Sequence, residues 1–272
     1  MARALTQTSS IPRPASALLR LGPIAERLGW AAASLGAFVL LWHVVAMIAD
    51  DVRRFPGPLV VFETMQRLSA SGQLWPHIFV TLQSLIAAFT LAMVIGSVIG
   101  ILLGKFPRAD RFFDPWLILF LNLPAIVIIT LCLIWGGMNQ TSIITAVALN
   151  KIPNTAVTMR EGTRALSRDL DEMAHMYNFG WWKTLRHVTV PQLAPYFATA
   201  ARAGLALIWK IVLVVEAFGG RGKGVGYQII SAFQDFDVAT ILAYALTFIL
   251  IVQVIESLLV QPMIAKVNKW RR

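Results

Sequence analysis

Long apolar runs recur along this chain of 272 residues and limit the folds available to it. The first run, residues 30–49, has about the 20 residues that a helix needs to cross a bilayer, and it is too long for the core of a signal peptide. Hydrophobic residues make up 57% of the sequence, charged residues make up 14%, and the mean hydropathy is +0.67. A soluble domain of this size would not tolerate these values. The sequence therefore predicts an integral, all-α membrane protein.

Six such runs are predicted to be transmembrane helices. They are residues 30–49, 77–104, 115–135, 141–157, 196–218 and 238–262. Pro124 should kink the third helix, because proline removes a backbone donor. Asn150, Lys151 and Pro153 indicate an irregular inner end for the fourth span. Residues 30–262 together form the predicted transmembrane domain.

Two further features are expected around the second span. Gly96, Gly100 and Gly104 recur every four residues, which should let another helix approach closely. Before this span, residues 54–68 predict a turn and a short amphipathic helix outside the membrane.

The basic residues predict how the chain is oriented. If residues 1–29 form a mostly disordered cytoplasmic tail and residues 263–272 a basic cytoplasmic tail, 17 Lys and Arg lie on the cytoplasmic side and 5 on the other side. Cytoplasmic connections of membrane proteins carry this excess, so both termini are expected in the cytoplasm. The net charge of +10 then reflects membrane orientation, and no nucleic-acid partner is expected.

One polar stretch, residues 169–195, stands between the apolar runs and carries the turn signals of two short helices packed as a hairpin. Asp169 can cap the first helix, and Glu172 three residues later can complete a capping box. Asn178, which tolerates left-handed backbone, should follow the end of that helix, and Gly180 should loosen the turn further.

The second helix of this hairpin is expected from about residue 181 to residue 189. Pro191 should stop it, since proline cannot continue a helix from within. A folded polar unit in an otherwise apolar chain indicates a partner outside the membrane.

At these residues the sequence resembles a known family, the membrane subunits of binding-protein-dependent ABC importers. Their signature is Glu-Ala-Ala, three residues, Gly, nine residues, an aliphatic residue, one residue and Leu-Pro. The matching residues here are Glu172, Met173, Ala174, Asn178 in place of the glycine, Val188, Val190 and Pro191. The run PQLAPY and the run IWKIVLVVE look most like the branch that carries nitrate, taurine and sulfonates.

The resemblance implies a fold, partners and a location. The fold is that of type I importer permeases, with six transmembrane helices and a cytoplasmic helical hairpin as the coupling element. The implied assembly in a bacterial inner membrane is a permease dimer with membrane lipid around it, two ATPase subunits and an external solute-binding protein. ATP and Mg²⁺ would bind to the ATPase, so this chain needs no cofactor. The residues implied in coupling are Glu172, Met173, Ala174, Asn178, Gly180 and Pro191.

The fifth span carries three charged residues where lipid would make them costly, namely Arg202, Lys210 and Glu216. At about 100° per residue they fall within one sector of a helix roughly 120° wide. They could line a translocation path for a small anion. Alternatively, Lys210 could form an interhelical ion pair, for example with Glu256 on the sixth span, and the sequence leaves both interpretations open.

Enzymatic and metal-dependent functions find little support. The loop of residues 219–226 resembles a phosphate loop only superficially, because Gly224 follows Lys223 where Ser or Thr is needed, and it is interpreted as a flexible outer loop. The four histidines are scattered, and Cys132 is the only cysteine, so neither a metal site nor a disulfide is expected. A channel or an ion-driven transporter is the competing function, but it should show paired broken helices or a ring of acidic residues.

Overall fold

The computed structural model describes residues 18–262, and every regular element in this range is a helix. The α-helices are α1 Leu18–Ala49, α2 Pro58–Ala70, α3 Leu74–Lys105, α4 Pro107–Asn122, α5 Ala125–Gly136, α6 Gln140–Arg164, α7 Arg168–Met176, α8 Trp181–Thr184, α9 Val190–Gly219, α10 Val225–Gln234 and α11 Val238–Ile255. Two π-helical turns, Leu185–Thr189 and Glu256–Val260, follow α8 and α11. The predicted tail of residues 263–272 lies outside the described range.

The chain divides at Pro58 into two compact units. In the first unit, α1 begins at Leu18, so residues 18–29 are helical where a disordered tail was predicted, and residues 1–17 are not described. The segment Gly29–Ala49 of this helix is long and apolar enough to cross a membrane. The Trp42 indole donates a hydrogen bond to the Pro56 carbonyl (Nε1–O 3.1 Å), which fixes the following turn against α1.

The centre of the second unit is α6, which packs against both α3 and α9. The predicted close approach along α3 is confirmed. A Cβ built on Gly96 would lie 2.6 Å from the Thr155 Cβ of α6, and one on Gly100 would lie 2.4 Å from the Ala156 carbonyl oxygen. Any side chain at these positions would push α3 and α6 apart. The amphipathic helix predicted before this span is also present as α2, whose buried residues are Val61, Thr64 and Leu68.

The third predicted span is not a single kinked helix. α4 and α5 meet at 95° across residues 123 and 124. Leu123 has the extended backbone favoured before proline (φ −66°, ψ 127°), and Pro124 precedes the first residue of α5. The prediction of a kinked helix was therefore wrong. The extended residue before proline ends α4, and a separate helix, α5, begins after Pro124.

The fourth predicted span is a continuous helix, and its irregular inner end was a wrong prediction. Pro153 is buried inside α6, which runs on to Arg164. Beyond Pro153, Arg160 contacts Asp110 (Nη1–Oδ1 3.1 Å) and Asp114, and Arg164 also bonds Asp110. These ion pairs fix α6 to α4 at the end of the helix.

Four helices in the described range are long and apolar enough to cross a membrane. They are Gly29–Ala49, Leu74–Lys105, Trp181–Gly219 and Val238–Leu258, and α4 with α5 would add a fifth as one bent span. α6 is not among them, since it carries Lys151, Arg160 and other polar groups inside the helix bundle. The protein is thus all-helical with four to five candidate spans.

Candidate functional site

The polar stretch folds as two short helices, α7 and α8, with the π turn after α8. We call residues 168–189 the α7–α8 segment. Ser167 caps α7, its hydroxyl accepting from the Leu170 amide (3.5 Å). The predicted cap at Asp169, with Glu172 completing a capping box, is therefore wrong. Asp169 lies within the first turn, where its charge favours the helix dipole, and Glu172 takes no part in capping.

The end of α7 confirms the prediction for Asn178, which is left-handed with φ +50°. The Phe179 amide bonds the Ala174 carbonyl (N–O 2.8 Å), and the Asn178 amide bonds the His175 carbonyl (3.0 Å). This pair of bonds is the Schellman motif, in which the residue just past the helix must be left-handed. Glycine fills this place most easily and Asn comes next, which explains physically why Asn can stand where the importer signature has Gly.

Gly180 does not loosen the turn as predicted. Its backbone is extended (φ −63°, ψ 158°), a conformation open to any residue, and it caps the start of α8. A Cβ built there would meet nothing within 4 Å. The reversal between α7 and α8 therefore depends on Asn178.

Pro191 does not stop the second helix. The chain continues from α8 through the π turn Leu185–Thr189 into α9, with Pro191 in the first turn of α9. The Val190 amide bonds the Leu185 carbonyl, five residues back, as in a π helix. A π turn widens the helix by one residue, which accommodates a proline that would clash in a regular α-helix. The second helix of the predicted hairpin and the fifth span are thus one continuous helical stretch.

The interior of the α7–α8 segment is small. Ala174 of α7 is completely buried and Val188 of the π turn is nearly so, and α7 contacts that turn. The Gln192 side chain ties the segment to α9, since it accepts from the Ser167 amide (2.9 Å) and donates to the Val188 carbonyl (3.1 Å). The segment is therefore held in place by backbone bonds and by one side-chain tie.

Its surface carries large apolar side chains that nothing in the described chain covers. The most exposed are Met176, Tyr177, Trp181 and Trp182, each at least 62% accessible. Glu172 is exposed as well, and in the described residues it makes no hydrogen bond or ion pair. It borders an open cavity of about 690 Å³ that Lys105 of α3 and Arg164 of α6 also line. Exposed apolar side chains that lie together mark a surface for another protein or for a membrane.

The three charged residues predicted for a path on α9 differ in environment. Arg202 and Lys210 are exposed, whereas only 1% of Glu216 is accessible. Arg202 lines a cavity of about 550 Å³ together with Glu256. The Lys210 ammonium lies 5.5 Å from the centre of the Trp209 ring, and within residues 18–262 it forms no ion pair with Glu256 or another carboxylate. The path role of these residues stays a prediction.

Glu216 is held in a buried group of hydrogen bonds. Its Oε2 accepts from the Thr81 hydroxyl of α3 (2.7 Å) and from the Gly226 amide at the start of α10 (3.2 Å). Thr81 Oγ1 accepts in turn from the Val225 amide (2.8 Å). We call these four residues the Glu216 node. The node joins α3, the end of α9 and the positive N-terminus of α10.

The loop before α10 is shaped to fit this carboxylate, and α10 itself was not predicted. Gly224 has φ +95°, and a Cβ there would lie 2.5 Å from the Glu216 Oε2. A Cβ on Gly226 would lie 2.1 Å from the Leu213 carbonyl oxygen. The prediction of a flexible loop over residues 219–226 is therefore wrong for its second half. The glycine pattern of this loop was the signal available in the sequence, because it allows close approach of backbone to a buried group.

Lys151 is a further charged residue, and it lies inside the helix bundle, although the sequence predicted it to be a cytoplasmic basic residue at an irregular helix end. Lys151 of α6 is only 4% accessible, and it lies between α3 and α9. Its position two residues from the middle of the predicted fourth span, residues 141–157, was the signal in the sequence.

Comparison with known proteins decides the family. Residues 92–261, well over half of the chain, match the family described as binding-protein-dependent transport system inner membrane component. The chain belongs to this family. The match includes α6, the α7–α8 segment and α9, so it covers Lys151, the residues implied in coupling and the three charged residues of α9.

Its relatives are transport permeases. A putative aliphatic sulfonates transport permease of Bacillus subtilis is 26% identical over 96% of this chain and 95% of its own length. A bicarbonate transport system permease of Synechococcus elongatus is 26% identical (77% and 79%), and a taurine transport system permease of Escherichia coli is 23% identical (81% and 82%). The chain is thus an ABC importer permease of the nitrate, taurine and sulfonate branch, and such permeases are translocation components, not enzymes.

Proposed function

We propose that this permease forms the translocation path for a small oxyanion and is driven by a separate ATPase. The observation that carries the proposal is the α7–α8 segment, which is closed at the end of α7 by its own backbone bonds and exposes aromatic side chains and Glu172. A surface of this kind needs a protein partner, and the chain carries no nucleotide-binding motif of its own.

In this proposal the α7–α8 segment is the coupling element. Glu172, Met173, Ala174 and Asn178 form its first half, with Ala174 packed inside and the others at the surface. The π turn and Pro191 join its second half directly to α9, so a displacement of the segment by an ATPase is transmitted to a transmembrane helix without an intervening loop. Gly180 starts the short helix that leads into this connection. ATP and Mg²⁺ bind to the ATPase.

The path itself is proposed to pass α9. Arg202 and Lys210 are exposed on that helix, where bare lipid would make their charges costly, so they face either water or a second permease copy. Glu216 is proposed to hold the helix end in place, given its buried bonds. The assembly is a permease dimer of six spans per chain in a bacterial inner membrane, with both termini in the cytoplasm and a solute-binding protein on the other side.

The solute class follows from the relatives, whose names specify aliphatic sulfonates, bicarbonate and taurine. Each of these presents negatively charged oxygen atoms. A self-sufficient channel or ion-driven transporter remains the alternative function, and it predicts transport without ATP hydrolysis.

The test is to purify the tagged chain from its native membrane in mild detergent and to identify what accompanies it. We expect an ATPase subunit and a second permease copy, and uptake of taurine, ethanesulfonate or nitrate by reconstituted complex only with ATP inside the liposomes. Uptake driven by an ion gradient, without ATP and without an associated ATPase, would overturn the proposal.

A further inference from the structure

Lys151 lies at the middle of the three helices that form the core of the second unit. It is close to the midpoint of α6, and its neighbours Phe89 and Gly204 are close to the midpoints of α3 and α9. At 1.5 Å per residue, Gly204 is about 21 Å from either end of α9. Transporters place solute sites near this depth, where helices from different parts of the chain meet.

The side chain of Lys151 is enclosed along its stem. A Cβ built on Gly204 would lie 3.1 Å from the Lys151 Cε and 3.4 Å from the Phe89 ring, so the missing side chain of Gly204 makes room for the stem. Fully enclosed side-chain atoms without a partner in residues 18–262 are Ser97 Oγ, Arg160 Nε and Glu216 Oε1. The Lys151 ammonium also has no partner there, and it is not among the fully enclosed atoms, so part of its surface is accessible although the residue as a whole is only 4% accessible.

No carboxylate stands at the depth of Lys151 on the helices packed around it. α3 contains no Asp or Glu, and the described ion pairs do not include Lys151. Glu161 of α6 is ten residues away, about 15 Å along the helix, and Glu216 of α9 is twelve residues beyond Gly204, about 18 Å. Glu216 is besides already engaged by Thr81 and Gly226.

A buried cation without a counter-charge lowers the stability of a membrane protein, and an apolar residue at the same position would avoid this loss. We propose that Lys151 is retained because its ammonium binds the oxyanion midway along the translocation path. This inference rests on the proposed function, and it names the residue that would contact the solute halfway across the membrane.

The chemistry suits transport. The ammonium offers three N–H donors to the oxygens of a sulfonate, nitrate or bicarbonate group. Since no fixed carboxylate neutralises it, the charge is available to each passing solute. A single point charge also binds weakly enough to release the solute, as conduction requires. Lys210 lies six residues beyond Gly204 on α9, about 9 Å further toward the Glu216 end but about 120° around the helix, so it does not share the face of α9 that contacts Lys151.

The test uses the full complex, with its ATPase and solute-binding protein, reconstituted in liposomes containing ATP. Initial uptake of labelled taurine, ethanesulfonate and nitrate is measured for wild type, Lys151→Met, Lys151→Gln and Arg67→Met. Arg67 is an exposed residue of α2, so its replacement removes one positive charge outside the core. Thermal unfolding of each permease and co-purification of the ATPase are measured in parallel.

We expect Lys151→Met to lower uptake about tenfold or more, the loss that follows from removing one charged hydrogen bond to the solute. Its unfolding temperature should be unchanged or higher, because an unpaired buried charge has been removed, and ATPase binding should persist. Lys151→Gln should fall between wild type and Lys151→Met, and Arg67→Met should match wild type.

Uptake by Lys151→Met within twofold of wild type would overturn the inference and leave the proposed function intact. Loss of uptake together with a lower unfolding temperature and lost ATPase binding in both Lys151 variants would assign the residue a structural role and would also overturn it. If the wild-type complex imports none of the three anions and no labelled bicarbonate, the proposed function fails and the inference fails with it.

Discussion

The two ends of α9 are built on opposite principles. At its C-terminal end, the Glu216 node buries a carboxylate and bonds one of its oxygens, Oε2, to the Thr81 hydroxyl and the Gly226 amide, while Oε1 has no partner among the described residues. At its N-terminal end, the α7–α8 segment satisfies only its backbone and leaves Glu172 and several aromatic rings exposed. Polar groups that are bonded inside the fold serve the fold, whereas those left unbonded at the surface are available to a partner. One end of α9 is therefore fixed inside the fold, and the other is the proposed docking surface.

The largest expected effect on stability is at the Glu216 node. Glu216→Ala would leave the Gly226 amide without its acceptor and open a cavity beside Thr81, which should lower the free energy of unfolding by roughly 2–5 kcal/mol. Glu216→Gln keeps the shape and one acceptor oxygen, so it should cost less. Thermal unfolding in detergent measures both, and an Ala variant as stable as wild type would show that the node is not an anchor.

Thr81→Val sharpens the same point. It keeps the shape but removes the hydroxyl that bonds Glu216 and the Val225 amide, and it should cost about 1–3 kcal/mol. Combined with Glu216→Ala, the loss should be clearly smaller than the sum, because both changes break the same bond. Additive losses would contradict the network, and Thr81→Ser, which retains the hydroxyl, is the control.

At the other end of α9, Asn178→Val should disturb the turn between α7 and α8. A β-branched residue resists the left-handed backbone that Asn178 adopts, at a cost of roughly 1–3 kcal/mol. Asn178→Gly should be neutral or slightly stabilising. The effect is local, so it should appear as faster protease cleavage of the segment and weaker ATPase co-purification. Equal behaviour of the two variants would mean that the left-handed turn is not needed.

The smallest effect on stability is expected for Glu172→Ala. The side chain neither caps α7 nor bonds another described residue, so the free energy of unfolding should stay within about 0.5 kcal/mol of wild type. Transport per ATP hydrolysed should nevertheless fall, because the exposed carboxylate is proposed to meet the ATPase. A lower unfolding temperature of the Glu172→Ala variant would show that Glu172 has a structural role. A normal ratio of transport to ATP hydrolysis would show that Glu172 does not contribute to the docking surface.

The sequence predicted correctly those features that depend on a few neighbouring residues. It did not predict the features that depend on contacts between residues far apart in the chain. The glycine pattern of α3 predicted the close approach of another helix, though not which one, and Asn178 predicted the left-handed turn, because each is a property of a few neighbouring residues. The prediction that Pro191 ends the second helix was wrong, because a π turn in the preceding backbone accommodates the proline. No single residue type indicates such a turn.

The charged residues show the same limit. Arg202, Lys210 and Glu216 fall in one sector of an isolated helix, but the neighbours of α9 decide which of them is buried. Glu216 is enclosed because α3 and α10 meet there, and α10 was not predicted. Lys151 was predicted to lie on the cytoplasmic side, at an irregular helix end. The residues that surround it on α3 and α9 lie more than fifty residues away in the sequence on either side, so the sequence around Lys151 does not show its burial.

The most direct test of the account compares the two ends of α9 in one experiment. A photoreactive benzoylphenylalanine is placed at Met176 of the α7–α8 segment or at Phe236, just past the C-terminus of α10, the helix whose N-terminus belongs to the Glu216 node; these side chains are 84% and 79% accessible. The full complex is then irradiated and the cross-linked chains are identified by mass spectrometry. The account predicts that the probe at Met176 captures the ATPase subunit and that the probe at Phe236 does not. Capture of the ATPase at Phe236, or its absence at Met176 in a complex that transports normally, would contradict it.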